Sequence, residues 1–293
     1  MTKNKRPKPS GYRPPQIGSH VFLVILAVYF LIPLWWLIVA STKSNSGLFT
    51  STGSALWFGS HFSFFDNVAQ LSTYNTGIYW RWLANSLLYA VVGGGGATVI
   101  SVMAGYGFAK YRFKGRTLMF TMVLGSVMVP MTALVIPLFM MFSVLGILNT
   151  IWCVILPSLL SPVGTYLIRV YSQDALPDEL LDAARVDGAG EMRTFWSVCL
   201  PQLRPAVITV LLLSVVATWN NFFLPQVMLA NGKLWPITVG LNDWLYQSNN
   251  GNNAEQVWNL VVSGAFVSVV PLIVAFLFLQ RYWQSGLALG SLK

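Results

Sequence analysis

The residues of this chain that could do chemistry are few and unevenly placed. Six of its nine acidic residues fall within 174–191: Asp174, Asp178, Glu179, Asp182, Asp187 and Glu191. His20 and His61 stand alone, and Cys153 and Cys199 are far apart with no CxxC spacing, so neither a metal site nor a redox pair is indicated. The run Gly93-Gly94-Gly95-Gly96 could cradle phosphate only after a strand and before a helix start carrying Lys; here it lies inside an apolar stretch. Gly232-Lys233 lacks the upstream glycine of a GxxxxGK[ST] loop. The sequence therefore offers no catalytic residue, no metal ligand set and no nucleotide site. Its acidic stretch calls for another explanation.

That stretch, 177–205, reads PDELLDAARVDGAGEMRTFWSVCLPQLRP. Pro177 suits a helix start, where its missing N–H costs nothing. Asp178 and Glu179 follow, and the helix dipole favours negative charge there. Leu180, Ala183, Ala184 and Asp187 then share one helical face, mostly small and apolar. Gly188 and Gly190 supply the left-handed backbone that ends a helix. A second short helix is predicted from Glu191 to about Cys199, ended by Leu200-Pro201. The expectation is helix, glycine hinge, helix, with alanines exposed so that a partner's backbone can approach. An ordinary amphipathic loop helix fits the same residues.

The elements that must position this stretch are apolar. The chain has 293 residues, 55% hydrophobic and 9% charged. Soluble domains carry about 25% charged residues, so a membrane protein is indicated. Residues 1–19 form a basic, proline-rich tail, expected to be disordered. Residues 21–40 are free of charge, about the length that crosses a hydrocarbon core and longer than the apolar core of a signal peptide. Further spans are predicted at about 84–109, 117–143, 149–171, 206–229 and 257–280. Residues 41–82 and 230–256 read as polar, aromatic loops between them. Small residues recur every fourth position at Gly93, Ala97, Ser101, Gly105 and Ala109, a ridge for close helix packing in lipid. Prolines at 130, 137, 157 and 162 bend or break the third and fourth spans, which is tolerated beside a cavity.

Six spans place both termini on one side. That side would carry fifteen of the eighteen Lys and Arg residues, leaving Lys43, Arg81 and Lys233 opposite. This is a strong positive-inside asymmetry. It puts 177–205 in the cytoplasm and accounts for the net charge of +9 without nucleic acid. No ionisable side chain falls centrally in a span, which argues against a proton-coupled carrier, pump or cation channel. The neutral polar and aromatic candidates for a solute path are Ser101, Thr218, Trp219, Asn220, Asn221 and Phe222. Each would serve equally as an inter-helix contact.

The run Asp182-Ala183-Ala184, Asp187-Gly188-Ala189, Phe195, Leu200-Pro201 and Pro205 resembles the EAA motif of ABC-importer permeases. Asp182 stands where the family usually has Glu. Asn85-Ser86-Leu87, Gly105-Tyr106-Gly107-Phe108-Ala109, Leu145-Gly146-Ile147-Leu148-Asn149-Thr150, Trp219-Asn220 and Gln280-Arg281-Tyr282 are similar to the carbohydrate-importer branch, which includes the second membrane subunit of the maltose transporter. The resemblance spans about 20–293. It implies an all-α polytopic membrane protein with six transmembrane helices over 20–281 and a cytoplasmic coupling helix, in a bacterial cytoplasmic membrane. Glu179, Asp182, Ala183, Ala184, Asp187, Gly188 and Ala189 would seat in an ATPase cleft. The C-tail 282–293, with Ser285, Gly286 and Leu287, would enter the ATPase dimer. The loop with Trp235, Trp244 and Tyr246 would reach a solute-binding protein, although these rings could equally be interface anchors. The implied partners are a second permease subunit, two ATPases that bind ATP and Mg in place of any cofactor here, an extracytoplasmic solute-binding protein and a sugar. Glycerol phosphate and anionic uronate oligosaccharides stay open as solutes. The alternative is a stand-alone secondary carrier or channel for a neutral polar solute.

Overall fold

The computed structural model describes residues 17–49, 55–59, 61–250 and 256–290, with side chains described from Gly18 to Gln280. Secondary structure among them is entirely helical. α1 (Ile17–Ser41) is the first apolar span, and helix already covers 17–19 of the expected tail; residues 1–16 lie outside the described part. α2 (Asn45–Phe49), α3 (Phe64–Thr73), α4 (Ile78–Tyr89) and α5 (Gly95–Lys110) follow. The last three follow one another over one stretch, Phe64–Lys110, of 47 residues, kinked between α3 and α4 where Asn75, Thr76 and Gly77 take positive φ. The span predicted at 84–109 is its second half. The first half replaces part of the expected 41–82 loop, because Asn67 and Leu71 of α3 turn inward on one face. A single π turn at Ala90–Gly94 joins α4 to α5.

The third span is broken. α6 (Arg116–Ser126) and α7 (Met131–Val144) meet at 102°. Pro130 causes the break: it sits extended at the N-cap of α7 and cannot continue α6. α8 (Trp152–Ser158) and α9 (Pro162–Ala175) are separated at Ser161-Pro162, where Ser161 Oγ accepts the Gly164 N–H and Pro162 takes the first helical position.

The 177–205 element follows as α10 (Asp178–Val186), α11 (Glu191–Thr194), a π turn at Phe195–Cys199 and α12 (Leu200–Gln202). Helix thus continues through Leu200-Pro201 rather than ending there. α13 (Arg204–Trp219) leaves it at 80°. It stops at Asn220, short of the predicted 229, and α14 (Phe223–Met228) is a separate piece. The expected 230–256 loop contains α15 (Ile237–Asn249). α16 (Trp258–Gly290) runs unbroken through the boundary expected at 282. Among the described residues four helices are long and apolar enough to cross a membrane, or up to six when each bent pair counts as one span.

Three apolar clusters hold the bundle. One joins α5, α9, α10, α13 and the π turn through Tyr106, Ile168, Leu181, Phe195 and Leu203. A second gathers Tyr79, Trp82, Trp219, Trp244 and Leu260. A third packs Tyr89, Phe142, Ile155 and Met228. The small-residue ridge of α5 faces α9: a Cβ on Gly105 would lie 2.7 Å from Ile168 and 2.8 Å from the Thr165 carbonyl oxygen.

Candidate functional site: a cavity joined to a docking element

The three chain breaks converge. Residues at the α6–α7, α8–α9 and α13–α14 interruptions line one cavity of about 600 Å³. Its polar lining is neutral: Ser126, Ser158, Ser161, Ser214, Thr218 and Asn221. Interrupted helices leave backbone groups unpaired, which lipid does not tolerate but a cavity does. The hydroxyls are partly committed. Ser158 Oγ donates to the Val154 carbonyl at 2.8 Å and Thr218 Oγ1 to the Ser214 carbonyl at 2.9 Å. Ser214 Oγ is buried with no partner among the described residues. Asn221 uses its backbone carbonyl to hold Thr238 Oγ1 at 2.9 Å, which leaves its side-chain amide for the cavity.

Of the six residues expected on a solute path, Thr218 and Asn221 line this cavity. The other four do not. Ser101 is fully buried, and its hydroxyl donates to the Ser161 carbonyl at 3.2 Å. It braces the α8–α9 break from behind. Trp219 is packed in the aromatic cluster. Asn220 is exposed and Phe222 half-buried, both outside the lining. Sequence reading missed Ser126, Ser158, Ser161 and Ser214. The signal available was a serine beside each proline of the fourth span: Ser158 after Pro157, and Ser161 before Pro162.

The 177–205 element sits at the opposite ends of two cavity-lining helices. α9 runs from the cavity at Pro162 to α10, and α13 returns from Arg204 to the cavity at Thr218. These spans are about 21 Å and 24 Å long at 1.5 Å per residue. At the hinge, Gly188 has φ +78°. The Ala189 N–H bonds back to the Ala184 carbonyl at 3.0 Å and closes α10. Arg185 clamps the turn, reaching Asp182 Oδ1 at 3.0 Å and Glu191 Oε1 at 3.2 Å. These carboxylates hold the Arg185 guanidinium pKa above its ordinary value. Tyr111 donates to Glu191 Oε2 at 3.1 Å; burial, then the Glu191 carboxylate, raises the phenol pKa.

One feature of the expected docking face is corrected. Ala184 is 8% exposed and packs inward with Leu181, whereas Ala183 is exposed. The inward pair is displaced around the helix from the predicted stripe because Leu181 fills the core and turns its side of α10 down. The outward face carries Glu179, Asp182, Ala183 and Asp187, with Gly188 exposed and Ala189 half-buried beyond it. Val186 at 87% and Met192 at 68% stand out on either side of the hinge.

On the opposite side, Trp244 is 1% exposed and packs against Trp82 at 5.0 Å, so it cannot meet a partner. Trp235 is half-buried, its Nε1 donating to the Leu229 carbonyl at 2.9 Å. Tyr246 is exposed. Ile237, Gly240, Trp244 and Ser248 are the inward stripe of α15; the surrounding asparagines hid that helix from the sequence reading. Ser285, Gly286 and Leu287 fall on α16, beyond the described side chains.

Residues 97–288 match the family model of the binding-protein-dependent transport system inner membrane component. The chain belongs to this family. It is 35% identical to the arabinooligosaccharides transport system permease protein AraQ of Bacillus subtilis (strain 168), with 98% of each chain covered. It is 30% identical to the lactose transport system permease protein LacG of Rhizobium radiobacter, over 96% of this chain and 97% of that one. Its fold matches a chain from the crystal structure of a bacterial ABC transporter that imports the acidic polysaccharide alginate. The TM-score is 0.76, with 22% identity over 94% of this chain and 100% of that one. The protein is thus a multi-pass permease subunit of a binding-protein-dependent importer, with the type I ABC-importer permease fold. It is a transport component, not an enzyme.

Proposed function

We propose that this permease couples ATP hydrolysis by partner subunits to alternating access for a neutral oligosaccharide. One observation carries the reading. The apolar core that holds α10 and the Phe195–Cys199 turn is continuous with α9 and α13, whose far ends line the neutral cavity. Displacing the 177–205 element therefore displaces the cavity wall. Its outward face, with Glu179, Asp182, Ala183, Asp187 and the exposed Val186 and Met192, is the docking surface for an ATPase subunit. ATP-driven closure of two such subunits moves α9 and α13 and turns the cavity outward. Such a shift requires that the partner bind the two states unequally.

The solute class follows from the lining. Six hydroxyl or amide side chains and no charge suit a polyhydroxy solute. This chain supplies no cation to the cavity for a phosphate or uronate. The oligosaccharide and lactose systems of its relatives favour the same class. A second permease subunit completes the path, a solute-binding protein delivers the sugar to the exposed Tyr246 side, and ATP and Mg are held by the ATPases. Both termini and the 177–205 element are assigned to the cytoplasm in this reading, which the charge asymmetry supports.

Reconstitution tests this. Vesicles with this chain, its partner permease, the ATPase pair and the binding protein should take up arabinooligosaccharide only with ATP, and the loaded binding protein should stimulate hydrolysis. Uptake by vesicles holding this chain alone would establish the carrier or channel instead. A cysteine at Ala183 should react with an impermeant maleimide from the cytoplasmic side only.

A further inference from the structure

At the end of the bundle that carries the 177–205 element, α6 begins and α9 ends, and each carries an arginine there. Arg116 is the first residue of α6, half-buried, with its Nη1 donating to the Tyr111 carbonyl at 3.2 Å. Arg169 lies six residues before the end of α9, about 9 Å along the helix. Its guanidinium carbon stands 3.7 Å from the centroid of the Phe120 ring. That ring is buried and stacked on Tyr166 at 6.4 Å. Arg169 Nε is buried with no hydrogen-bond partner among the described residues. Phe120 lies about one helical turn beyond Arg116 on α6, so both arginines stand at the same part of the α6–α9 seam. Among the described residues no carboxylate pairs with either arginine.

Two guanidinium groups at one helix seam, one with an orphaned buried N–H, favour an anion between them. The first turn of α6 adds backbone N–H groups and the positive end of its dipole. On the outer flank Met119, Met122, Tyr166 and Val170 are exposed apolar surface. A planar guanidinium forks onto phosphate oxygens, and basic pockets between spans at the cytoplasmic surface suit anionic headgroups.

We infer that Arg116 and Arg169 form a binding site for the phosphodiester headgroup of an anionic glycerophospholipid, whose acyl chains lie along Met119, Met122 and Val170. The site takes the 177–205 side as cytoplasmic, which the maleimide experiment above tests separately. It needs neither the ATPase docking nor the solute reading. A bound lipid would brace α6 against α9 beside the cavity wall.

Native mass spectrometry of the full-length chain, purified with its membrane partners and stripped of lipid, tests the site. Phosphatidylglycerol, phosphatidylcholine and inorganic phosphate are added in turn. The wild type should prefer phosphatidylglycerol. Arg116→Gln and Arg169→Gln should each weaken that binding roughly fivefold, and the double variant about 25-fold. Phosphatidylcholine binding should not change. Arg116→Lys should keep most of the affinity, and it serves with Arg116→Gln if Arg169→Gln fails to insert. Three outcomes overturn the site: unchanged phosphatidylglycerol affinity in the variants, displacement of the lipid by inorganic phosphate at equal concentration, or loss of the membrane partner from Arg169→Gln with lipid binding intact. The last would assign the arginines to a carboxylate on the partner.

Discussion

Lys110 Nζ lies 2.9 Å from Asp178 Oδ1 and ties the last residue of α5 to the first residue of α10. Each charge also sits where its helix dipole favours it, Lys at a C-terminus and Asp at an N-terminus. Lys110 is nearly buried while Asp178 is open to water. The lysine's hydrogen bond and charge hold the Asp178 pKa below its ordinary value of 3.8. A depressed carboxylate contributes stability above its unfolded pKa and loses it as pH falls through the folded value. The tie is therefore complete at neutral pH and lost only in acid below that value. We expect Asp178→Asn to leave folding almost unchanged and to slacken the link between docking element and bundle. ATP hydrolysis should persist while sugar moved per ATP falls. Unchanged stoichiometry in vesicles would remove this contact from the coupling path.

Val186 is the most solvent-open large side chain of the docking element. An apolar side chain in that position gains nothing from its own fold, so Val186→Lys, whose charge suits a helix C-terminus, should leave the melting temperature within about 1 °C, as surface changes do. If the ATPase covers it, the same change buries an unpaired charge in the interface and should weaken association by about 2 kcal/mol or more. Co-purification at wild-type yield would place the interface elsewhere on the element. Ala183→Trp tests the same face from the other side of Asp182. Ala184→Trp does not, because Ala184 is core and the variant should fail in folding first.

Asp243 lies on α15, and burial raises its carboxyl pKa, with Gln247 Nε2 at 2.7 Å from Oδ2 lowering it in part. A raised folded pKa contributes stability that is full below the unfolded pKa and is lost as pH rises through the folded one. At neutral pH the charge is therefore a cost. Asp243→Asn keeps an acceptor for Gln247 and should raise the melting temperature at neutral pH but not in acid. A rise of equal size at both would mean that packing, not ionisation, is the cause.

The spans and the glycine-hinged docking element were legible because each is local: charge-free length, a dipole-matched helix start, and Gly188 in the left-handed region. Resemblance then supplied the role proposed for the element. The interruptions were half legible. Prolines 130 and 162 marked where helices stop, but nothing in the sequence says that both stops meet the end of α13. That is long-range packing, and so the four serines of the cavity went unread. The inward turn of Ala184 was missed for the same reason. Two faces of α10 are equally small, and only Leu181 meeting the Tyr106–Phe195 core decides between them. Trp244 looked like a surface anchor because aromatic residues at a loop suggest an interface. Its burial follows from Gly240, where a Cβ would lie 2.1 Å from the Trp82 ring, letting α15 press against α4.

The glycine run of α5 gives a paired prediction. A Cβ on Gly94 would stand 2.8 Å from the backbone of Val215, so α13 itself would have to move. A Cβ on Gly96 would meet only Leu159 Cδ2, at 2.4 Å, the far end of a flexible side chain. Gly94→Ala should therefore cost about 1–3 kcal/mol from overpacking. Gly96→Ala should cost much less, and its gain in helix propensity of up to about 1 kcal/mol offsets the contact. Thermal denaturation of the two variants in detergent checks the order. Equal losses would show that α5 and α13 are not in rigid contact.

Ser214 separates a solute role from a packing role within the cavity. Its hydroxyl is buried, belongs to a residue that lines the cavity, and has no partner among the described residues. An unsatisfied buried hydroxyl costs about 1–3 kcal/mol. Ser214→Ala removes that cost with almost no change of volume, so stability should hold or rise. If the hydroxyl receives a sugar during passage, the same variant loses a hydrogen bond made only to solute, and the apparent KM for uptake should rise severalfold. Thr218→Val is the contrast, since Thr218 Oγ1 already donates to the Ser214 carbonyl within α13. It should disturb uptake less than Ser214→Ala does. Asn221→Leu, which replaces a free amide, should disturb it more. A Ser214→Ala permease that is more stable and transports with an unchanged KM would mean that solute does not touch this wall, and the path would have to be drawn through the partner subunit.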